Sequence, residues 1–223
     1  MSVRSEAGPA KTAGRMDEIY RNQRHFYDLT RKYYLLGRDA LIADLAPPRG
    51  ASVLEVGCGT GRNIVVAGRH YADTSLFGID ISAEMLSTAC KAVRQSGLAT
   101  RTALARADAC DFNPDRLFGQ RCFDRIFLSY TLSMIPPWRE TLAHLPSMLA
   151  PGGSLHIVDF GQQEGLPDMF KRALFAWLRR FDVEPRAALP DCLADIADTG
   201  ELQFEMRSLH RGYAWSAVLR RSG

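Results

Sequence analysis

The residues best suited to chemistry lie in segment 53–61, which reads VLEVGCGTG. The apolar, β-branched start of this segment is typical of a buried parallel strand. Three glycines follow on alternate positions, Gly57, Gly59 and Gly61, and they predict a turn whose backbone passes close to a ligand because no Cβ stands in the way. A helical pattern begins near Arg62. A strand, a glycine turn and a helix together form the ligand-binding corner of a doubly wound α/β sheet.

The type of ligand is indicated by the residues around these glycines. The dinucleotide fingerprint G-x-G-x-x-G would need glycine at position 62, where the chain has arginine, so a pyrophosphate is not expected. Glu55 stands two residues before the first glycine, and a carboxylate there suits a positively charged ligand. A strand-to-helix turn that binds no ligand is the alternative, because a lone glycine pattern has low specificity.

Segment 55–61 resembles motif I of the class I S-adenosylmethionine-dependent methyltransferases, E/D-x-G-x-G-x-G, at every defined position. The resemblance implies S-adenosylmethionine as the cofactor. It also implies that the cofactor is bound by Glu55, Gly57, Cys58, Gly59 and Gly61.

The elements that must position this corner alternate between strands and helices. The predicted strands are residues 52–56, 75–80, 102–108, 123–130 and 154–160, followed by a closing antiparallel pair over 203–209 and 213–220. The predicted helices are residues 62–69, 82–95, 138–149, 166–181 and 190–199. Such alternation predicts a parallel sheet with right-handed crossovers. From about Ala51 onward the pattern resembles the doubly wound, seven-stranded, mostly parallel α/β sheet of the methyltransferases, a Rossmann-like fold.

Three segments are predicted along the chain. Residues 1–14 lack periodicity and are expected to form a disordered tail. Residues 15–48 are expected to form an N-terminal helical cap that contributes to the substrate site, with a break near Leu36 and Gly37. Residues 49–223 are expected to form the cofactor-binding domain.

Ligands of such sheets bind beyond the carboxyl ends of the strands, so the residues that follow each strand are the next candidates. Asp80 follows the second strand, nineteen residues after Gly61, and its carboxylate can accept hydrogen bonds from two ribose hydroxyls. A carboxylate at a helix N-terminus is the alternative for Asp80. Ile81 and Met85 are predicted to pack on the adenine, with plain core packing as the alternative.

The ends of the third and fourth strands supply the remaining candidates. Asp108 and Ala109 follow the third strand, and Asp108 can accept a hydrogen bond from the adenine amino group. Asp111 competes for this role and is disfavoured because it lies farther from the strand end. Ser129 and Tyr130 follow the fourth strand, where the resemblance implies that residues line the transfer site.

Composition narrows the class of protein. The chain has 223 residues, 46% of them hydrophobic and 24% charged, and a formal net charge of +3 that does not argue for a nucleic-acid partner. No apolar run approaches the roughly 20 residues needed to span a bilayer. Five cysteines without a C-x-x-C pair favour reduced thiols in a cytoplasm, and neither they nor the five histidines predict a metal site.

The acceptor is indicated by the N-terminal segment. Residues 16–24, 27–31 and 35–39 resemble the N-terminus of the bacterial N-methyltransferases of betaine-lipid synthesis, which convert diacylglyceryl-homoserine to its N,N,N-trimethyl product. Bacterial phosphatidylethanolamine N-methyltransferases share a looser version of this pattern. The resemblance implies a lipid substrate. A methyltransferase for a soluble small molecule and a non-enzymatic S-adenosylmethionine-binding module are the alternatives.

A basic, aromatic helix is predicted over residues 166–181. One face is apolar, with Phe170, Leu174, Trp177, Leu178 and Phe181, and basic residues flank it. Helices of this type lie at anionic membrane surfaces, which predicts a peripheral protein on the cytoplasmic side of the inner membrane. The alternative is a helix that packs on the sheet. A soluble acceptor would favour that alternative.

Tyrosine side chains are candidates for binding the methylated head group. Each methylation moves the amine toward a quaternary ammonium, which aromatic faces attract by roughly 0.5–2 kcal/mol per contact. Tyr20, Tyr27 and Tyr130 are therefore predicted to form a cage in the catalytic site, with core packing as the alternative for each. The residues predict neither a general base nor an oligomeric state.

Overall fold

The structure is a computed structural model that describes residues 35–223 and the backbone of residues 4–5. Its strands are β1 (Arg4–Ser5), β2 (Ser52–Val56), β3 (Ser75–Asp80), β4 (Thr102–Arg106), β5 (Phe123–Ser129), β6 (Leu149–Phe160), β7 (Gln203–Leu209) and β8 (Ala214–Arg220). Its α-helices are α1 (Arg38–Asp44), α2 (Arg62–His70), α3 (Ala83–Gln95), α4 (Pro114–Phe118), α5 (Trp138–His144), α6 (Asp168–Arg179) and α7 (Leu189–Gly200). Short 3-10 helices cover Ala99–Arg101 and Leu145–Met148.

One sheet contains all these strands in the order β1-β4-β3-β2-β5-β6-β8-β7. Strands β1 to β6 pair in parallel, and β8 runs antiparallel to both β6 and β7. The predicted seven-stranded, mostly parallel sheet with a closing antiparallel pair is confirmed. The two-residue strand β1 adds an edge beside β4, within the segment expected to be a tail. Most of the predicted tail and cap lies outside the described residues.

Helices cover both faces of the sheet because side chains of a strand point alternately to its two sides. Leu54 and Val56 of β2 face the side covered by α5 and α7, whereas Val53 faces α1, α2 and α3. All five residues of β2 are buried, as expected for the central strand of a covered parallel sheet. The central strand is therefore rigid at the point where it delivers Glu55 and the glycine turn.

Several element boundaries differ from the predicted ones. The helix expected over 138–149 ends at His144, because proline at position 146 has no N–H for the next helical hydrogen bond and clashes with the preceding turn. The strand expected over 154–160 begins at Leu149, with an irregular register opposite Phe123 and Arg125. Strand β4 ends at Arg106, so Asp108 lies in the loop that follows it.

The end of the helical cap is described, and it packs on the body of the sheet. Helix α1 begins after Gly37, which has φ 84°, at the break predicted from the sequence. A Cβ at this glycine would lie 2.8 Å from Leu209 Cδ1, the end of a side chain that can move, so the backbone conformation is the main reason for glycine here. Within residues 35–223, no helix is long and apolar enough to cross a membrane.

Candidate active site

A cavity of about 590 Å³ opens at the carboxyl ends of β2, β3, β4 and β5. It is lined by eleven of the twelve residues predicted to bind the cofactor, namely Glu55, Gly57, Cys58, Gly59, Asp80, Ile81, Met85, Asp108, Ala109, Ser129 and Tyr130. In the strand order β4-β3-β2-β5, Asp108 follows β4, Asp80 ends β3 and Glu55 lies in β2, so the predicted adenine, ribose and cationic contacts lie in a row. The end of β5 is then on the acceptor side. The cavity thus has a cofactor half and an acceptor half.

Glu55 is the most unusual group in the cofactor half. Its side chain is buried, with 1% exposure, and Oε1 accepts a hydrogen bond of 2.8 Å from Asn63 Nδ2. The other oxygen, Oε2, is buried with no hydrogen-bond partner within the described part of the chain. A buried polar atom without a partner is costly unless a ligand completes its hydrogen bonding.

The electrostatics of Glu55 follow from this burial. Desolvation raises the pKa of its carboxyl from 4.5 to about 8, and Asp80 adds to the rise, while the hydrogen bond from Asn63 opposes it. A cationic ligand would favour the ionised form and lower this pKa. The site is therefore suited to the ammonium and sulfonium charges of S-adenosylmethionine.

Asp80 lies at the end of β3 and is fixed by the two turns beside it. Its Oδ2 accepts from the backbone N–H of Gly59 at 2.8 Å, and its Oδ1 accepts from that of Ser82 at 2.9 Å. A carboxylate has about four lone-pair sites, which suits Asp80 to accept from ribose hydroxyls as well. The side chain links the glycine turn to the start of α3. The Ser82 hydroxyl caps that helix by accepting from the Met85 N–H at 3.3 Å.

The glycine turn is closely packed against other parts of the protein. A Cβ at Gly57, where φ is 73°, would lie 2.3 Å from Thr131 Cγ2. A Cβ at Gly61, where φ is 78°, would lie 2.9 Å from Ala89 Cβ. Neighbouring protein atoms therefore restrict both positions to glycine, and Gly57 lines the cavity as well. Gly61, the predicted contact that is absent from the cavity lining, instead precedes α2 and lets this helix pack on α3.

At the adenine end of the cavity, Asp108 and not Asp111 is in position. Asp108 lines the cavity, and its Oδ1 accepts from the Cys110 N–H at 3.0 Å, whereas Asp111 is exposed and outside the lining. The predicted adenine contacts Ile81 and Met85 line the cavity beside it. This arrangement supplies a carboxylate acceptor next to apolar side chains, which suits an adenine ring.

Tyr130 lines the acceptor half, but its side chain also has a structural role. Its backbone has φ 55°, its ring lies 4.6 Å from that of Phe160, and its hydroxyl donates to the carbonyl of Leu36 at 2.6 Å. Burial raises the pKa of the phenol, with Asp159 as the next contribution, so the hydroxyl stays protonated and supplies no phenolate base. The geometry favours the core-packing alternative for this tyrosine.

Other predicted groups take the following places. Ser129 lines the cavity, while Tyr20 and Tyr27 lie outside the described residues. Cys58 lines the cavity, but burial raises the pKa of its thiol, which disfavours a thiolate nucleophile. His156 lies within β6 beside the Ser154 hydroxyl, and burial lowers its pKa to about 3, in keeping with a structural role.

Several cavity residues were not predicted. Asn63 orients Glu55 from the first turn of α2, Arg38 and Leu35 come from the helical cap, and the loop at residues 131–137 forms an apolar wall. Asn63 could have been predicted, because its amide lies in the first turn of the helix that follows Glu55 and the glycine turn. The wall has no comparable local signature.

Three comparisons with known proteins bear on this geometry. The family model of the methyltransferase domain matches residues 53–153. The chain is 30% identical over 149 residues to a phosphatidylethanolamine N-methyltransferase of Cereibacter sphaeroides, an alignment that covers 64% of this chain and 70% of that protein. The chain belongs to the class I S-adenosylmethionine-dependent methyltransferases.

Two further similar proteins have names that give different methylation reactions. The O-methyltransferase cnsE of Penicillium expansum is 31% identical over 124 residues, covering 56% of this chain and 43% of that protein. The solved structure of Haemonchus contortus phosphoethanolamine N-methyltransferase 2 with S-adenosyl-L-methionine has a TM-score of 0.66 and 17% identity, covering 83% of this chain and 52% of that one. The methyltransferase described here thus spans about half the length of these two proteins or less, and the second likeness establishes the fold.

The cofactor prediction is confirmed. The family uses S-adenosylmethionine, and the residues of the cavity fit this molecule because the unpartnered Glu55 oxygen, the Asp80 carboxylate and Asp108 lie in the order of its cationic, ribose and adenine groups. Within residues 35–223, no group of three or more His, Cys, Asp or Glu side chains is placed to hold a metal ion.

Proposed function

We propose that this methyltransferase methylates the amine of diacylglyceryl-homoserine three times to give the betaine lipid diacylglyceryl-trimethylhomoserine. The resemblance of residues 16–39 to the betaine-lipid enzymes supports this acceptor. The similarity to a phosphatidylethanolamine N-methyltransferase supports a lipid amine more generally.

The exposure of helix α6 is the observation that carries the proposal. Of its residues, Leu178 alone is buried, whereas Met169 is 83% exposed and Phe170 is 46% exposed at its N-terminal end. Arg172 and Arg179 are exposed beside this apolar face. A soluble acceptor would predict a buried helix. Leu174, Trp177 and Phe181 are partly buried and pack against the core, so the exposed apolar part of α6 is its N-terminal end. Exposed apolar side chains beside basic residues are typical of helices that lie in an anionic membrane surface.

The placement of α6 supports a lipid acceptor as well. The chain leaving α6 buries Val183 in the core, and the N–H of Glu184 donates to the carbonyl of Ser133 at 2.8 Å. Ser133 belongs to the loop that lines the acceptor half of the cavity. The proposed membrane-facing helix and the transfer site are therefore joined directly. In this arrangement the enzyme acts as a peripheral protein on the cytoplasmic face of the inner membrane.

The chemistry needs alignment more than activation by a residue. S-adenosylmethionine supplies an electrophilic methyl group on a sulfonium. Glu55, Asp80 and Asp108 fix the position of that donor, and the apolar residues Met134 and Ile135 limit the access of water to the acceptor half. Holding the amine in line with the methyl–sulfur bond is the main source of rate enhancement. Tyr20 and Tyr27 are proposed to contact the increasingly cationic head group.

A comparison of three acceptors in separate reactions tests the proposal. The enzyme is incubated with labelled S-adenosylmethionine and, in separate micelles of one detergent, diacylglyceryl-homoserine or phosphatidylethanolamine, and in a third sample with soluble homoserine. We expect mono-, di- and trimethylated diacylglyceryl-homoserine. Label on phosphatidylethanolamine alone would assign the second candidate function, which the Cereibacter relative favours. Label on homoserine alone would exclude a lipid acceptor.

Vesicle flotation tests the membrane contact separately. We expect binding to phosphatidylcholine vesicles that contain phosphatidylglycerol and weaker binding to phosphatidylcholine alone. Replacing Arg172 and Arg179 with Gln should reduce the binding, because each basic residue near an anionic surface contributes on the order of 1 kcal/mol. Arg121→Gln is the matched control, since this arginine is exposed and pairs with Asp115 away from α6. Equal binding to both kinds of vesicle would contradict the proposal.

A further inference from the structure

The wall of the acceptor half is a short loop, residues 131–137, that is held by hydrogen bonds rather than by regular secondary structure. Thr131, Met134, Ile135 and the two prolines after them line the cavity. Within the loop, the N–H groups of Met134 and Ile135 donate to the Thr131 carbonyl at 3.0 Å and 3.2 Å. The carbonyls of residues 132, 133 and 135 point away from this turn and need partners elsewhere.

Arg186 supplies two of these partners. Its Nε donates to the carbonyl of Leu132 at 3.1 Å, and its Nη2 donates to the carbonyl of Ile135 at 3.0 Å. Its Nη1 donates to Glu184 Oε2, which orients the guanidinium. The Arg186 side chain is 11% exposed, so these bonds are largely shielded from water. One planar group thus bridges two carbonyls of the loop that forms the wall.

The rest of the loop is fixed by groups on either side. Asp159, at the end of β6, accepts from the Ser133 N–H at 3.1 Å, and the Glu184 N–H donates to the Ser133 carbonyl at 2.8 Å. Val183, next to Glu184, is buried, and its N–H donates to the Leu178 carbonyl in the last turn of α6. Segment 183–186 therefore connects the end of α6 to the wall.

We propose that Arg186 is a positioning residue that sets the acceptor-side wall and couples α6 to it. A guanidinium presents its N–H groups in a fixed plane and can bridge two carbonyls, whereas the point-like ammonium of lysine cannot reproduce this fork. The position of Met134 and Ile135, and so the shape of the acceptor half, depends on that fork. The coupling to α6 rests on the proposed membrane contact, while the positioning of the wall does not.

Amide hydrogen exchange of the free enzyme tests the positioning directly. In Arg186→Lys we expect the amides of residues 133–135 to exchange roughly tenfold faster, because hydrogen bonds from a charged group hold this loop closed. Exchange at the start of α3 should stay unchanged. Arg121→Lys is the matched control, since this arginine is exposed and pairs with Asp115 away from the loop. Unchanged exchange in the loop of Arg186→Lys would overturn the proposal.

Kinetics and vesicles separate this inference from the proposed function. For Arg186→Lys we expect the affinity for S-adenosylhomocysteine to stay within about twofold and acceptor kcat/KM to fall roughly tenfold. An equal loss of both would indicate a general structural role and would overturn the proposal. Phosphatidylglycerol-containing vesicles should slow exchange of residues 133–135 in the wild type but not in Arg186→Lys. No effect of vesicles on exchange in the wild type would refute the coupling and the membrane contact. Faster exchange in free Arg186→Lys would still support the role of Arg186 in positioning the wall.

Discussion

Replacing Glu55 with Gln should stabilise the free enzyme at alkaline pH while weakening its binding of the cofactor. The carboxyl is buried, one oxygen lacks a partner in the described part of the chain, and its pKa is raised by burial from 4.5 to about 8. Folding therefore favours the protonated form. The free energy of unfolding is highest below about pH 4.5 and falls as the pH rises toward about 8, because the unfolded chain loses this proton first.

The size of the effect follows from the two pKa values. The difference between 4.5 and about 8, at about 1.4 kcal/mol for each tenfold change in an equilibrium constant, corresponds to about 5 kcal/mol. This is the largest pH-dependent gain expected for Glu55→Gln over the wild type. At neutral pH the gain should be about 3 kcal/mol. The amide keeps an oxygen that can accept from Asn63 and removes the ionisable group.

Urea unfolding of both proteins between about pH 5 and about pH 9 measures this difference, with Glu140→Gln, an exposed carboxylate, as the control. Calorimetry over the same range should show that wild-type affinity for S-adenosylmethionine rises with pH up to about 8, since a cationic ligand requires the ionised carboxylate. The Glu55→Gln variant should bind weakly at every pH. Parallel stability profiles for the two proteins would refute the assignment of a buried carboxyl that is protonated at neutral pH.

Three further predictions concern the turn, the ribose contact and the membrane helix. Asp80→Ala should lower cofactor affinity in calorimetry by roughly a hundredfold or more, because it removes a charged acceptor and releases the Gly59 N–H, whereas Asp111→Ala should have little effect. Gly57→Ala should lower the midpoint of thermal unfolding by an amount equivalent to roughly 2 kcal/mol or more, because its Cβ would meet Thr131 at a positive φ; an unchanged midpoint would show that the turn can relax. Phe170→Asp should reduce flotation with anionic vesicles without changing the affinity for S-adenosylhomocysteine, and unchanged flotation would show that this end of α6 is not inserted.

Much of the cofactor half could be predicted because each step depended only on local sequence. The ends of β3 and β4 can be recognised from short apolar runs, and parallel strands bring their carboxyl ends to one edge of the sheet. Asp80 and Asp108 therefore line the same cavity although they are far apart in the chain. The prediction needed no knowledge of packing between helices.

The contacts that could not be predicted are those made across long separations. Arg186 meets carbonyls 54 and 51 residues earlier in the chain, and nothing in its neighbourhood distinguishes it from other surface arginines. Thr131, on another loop, likewise restricts position 57 to glycine. Backbone carbonyls and close approaches carry no sequence pattern, so such partners become visible only in three dimensions.

The two halves of the cavity are built from different segments of the sequence, and this difference bears on acceptor specificity. The cofactor half comes from contiguous strand ends within residues 53–153, the region that the methyltransferase-domain family model matches. Arg38 of the cap also lines the cavity, and Arg186 bonds the loop that forms the wall of the acceptor half; these two arginines lie outside that region on either side. Relatives whose names indicate O- and N-methylation align over parts of the chain, as expected if they share the donor site. We expect the cap and the segment between β6 and α7 to contribute to the choice of acceptor together with the loop at residues 131–137, so exchanging these three segments between relatives should change the acceptor while retaining the cofactor.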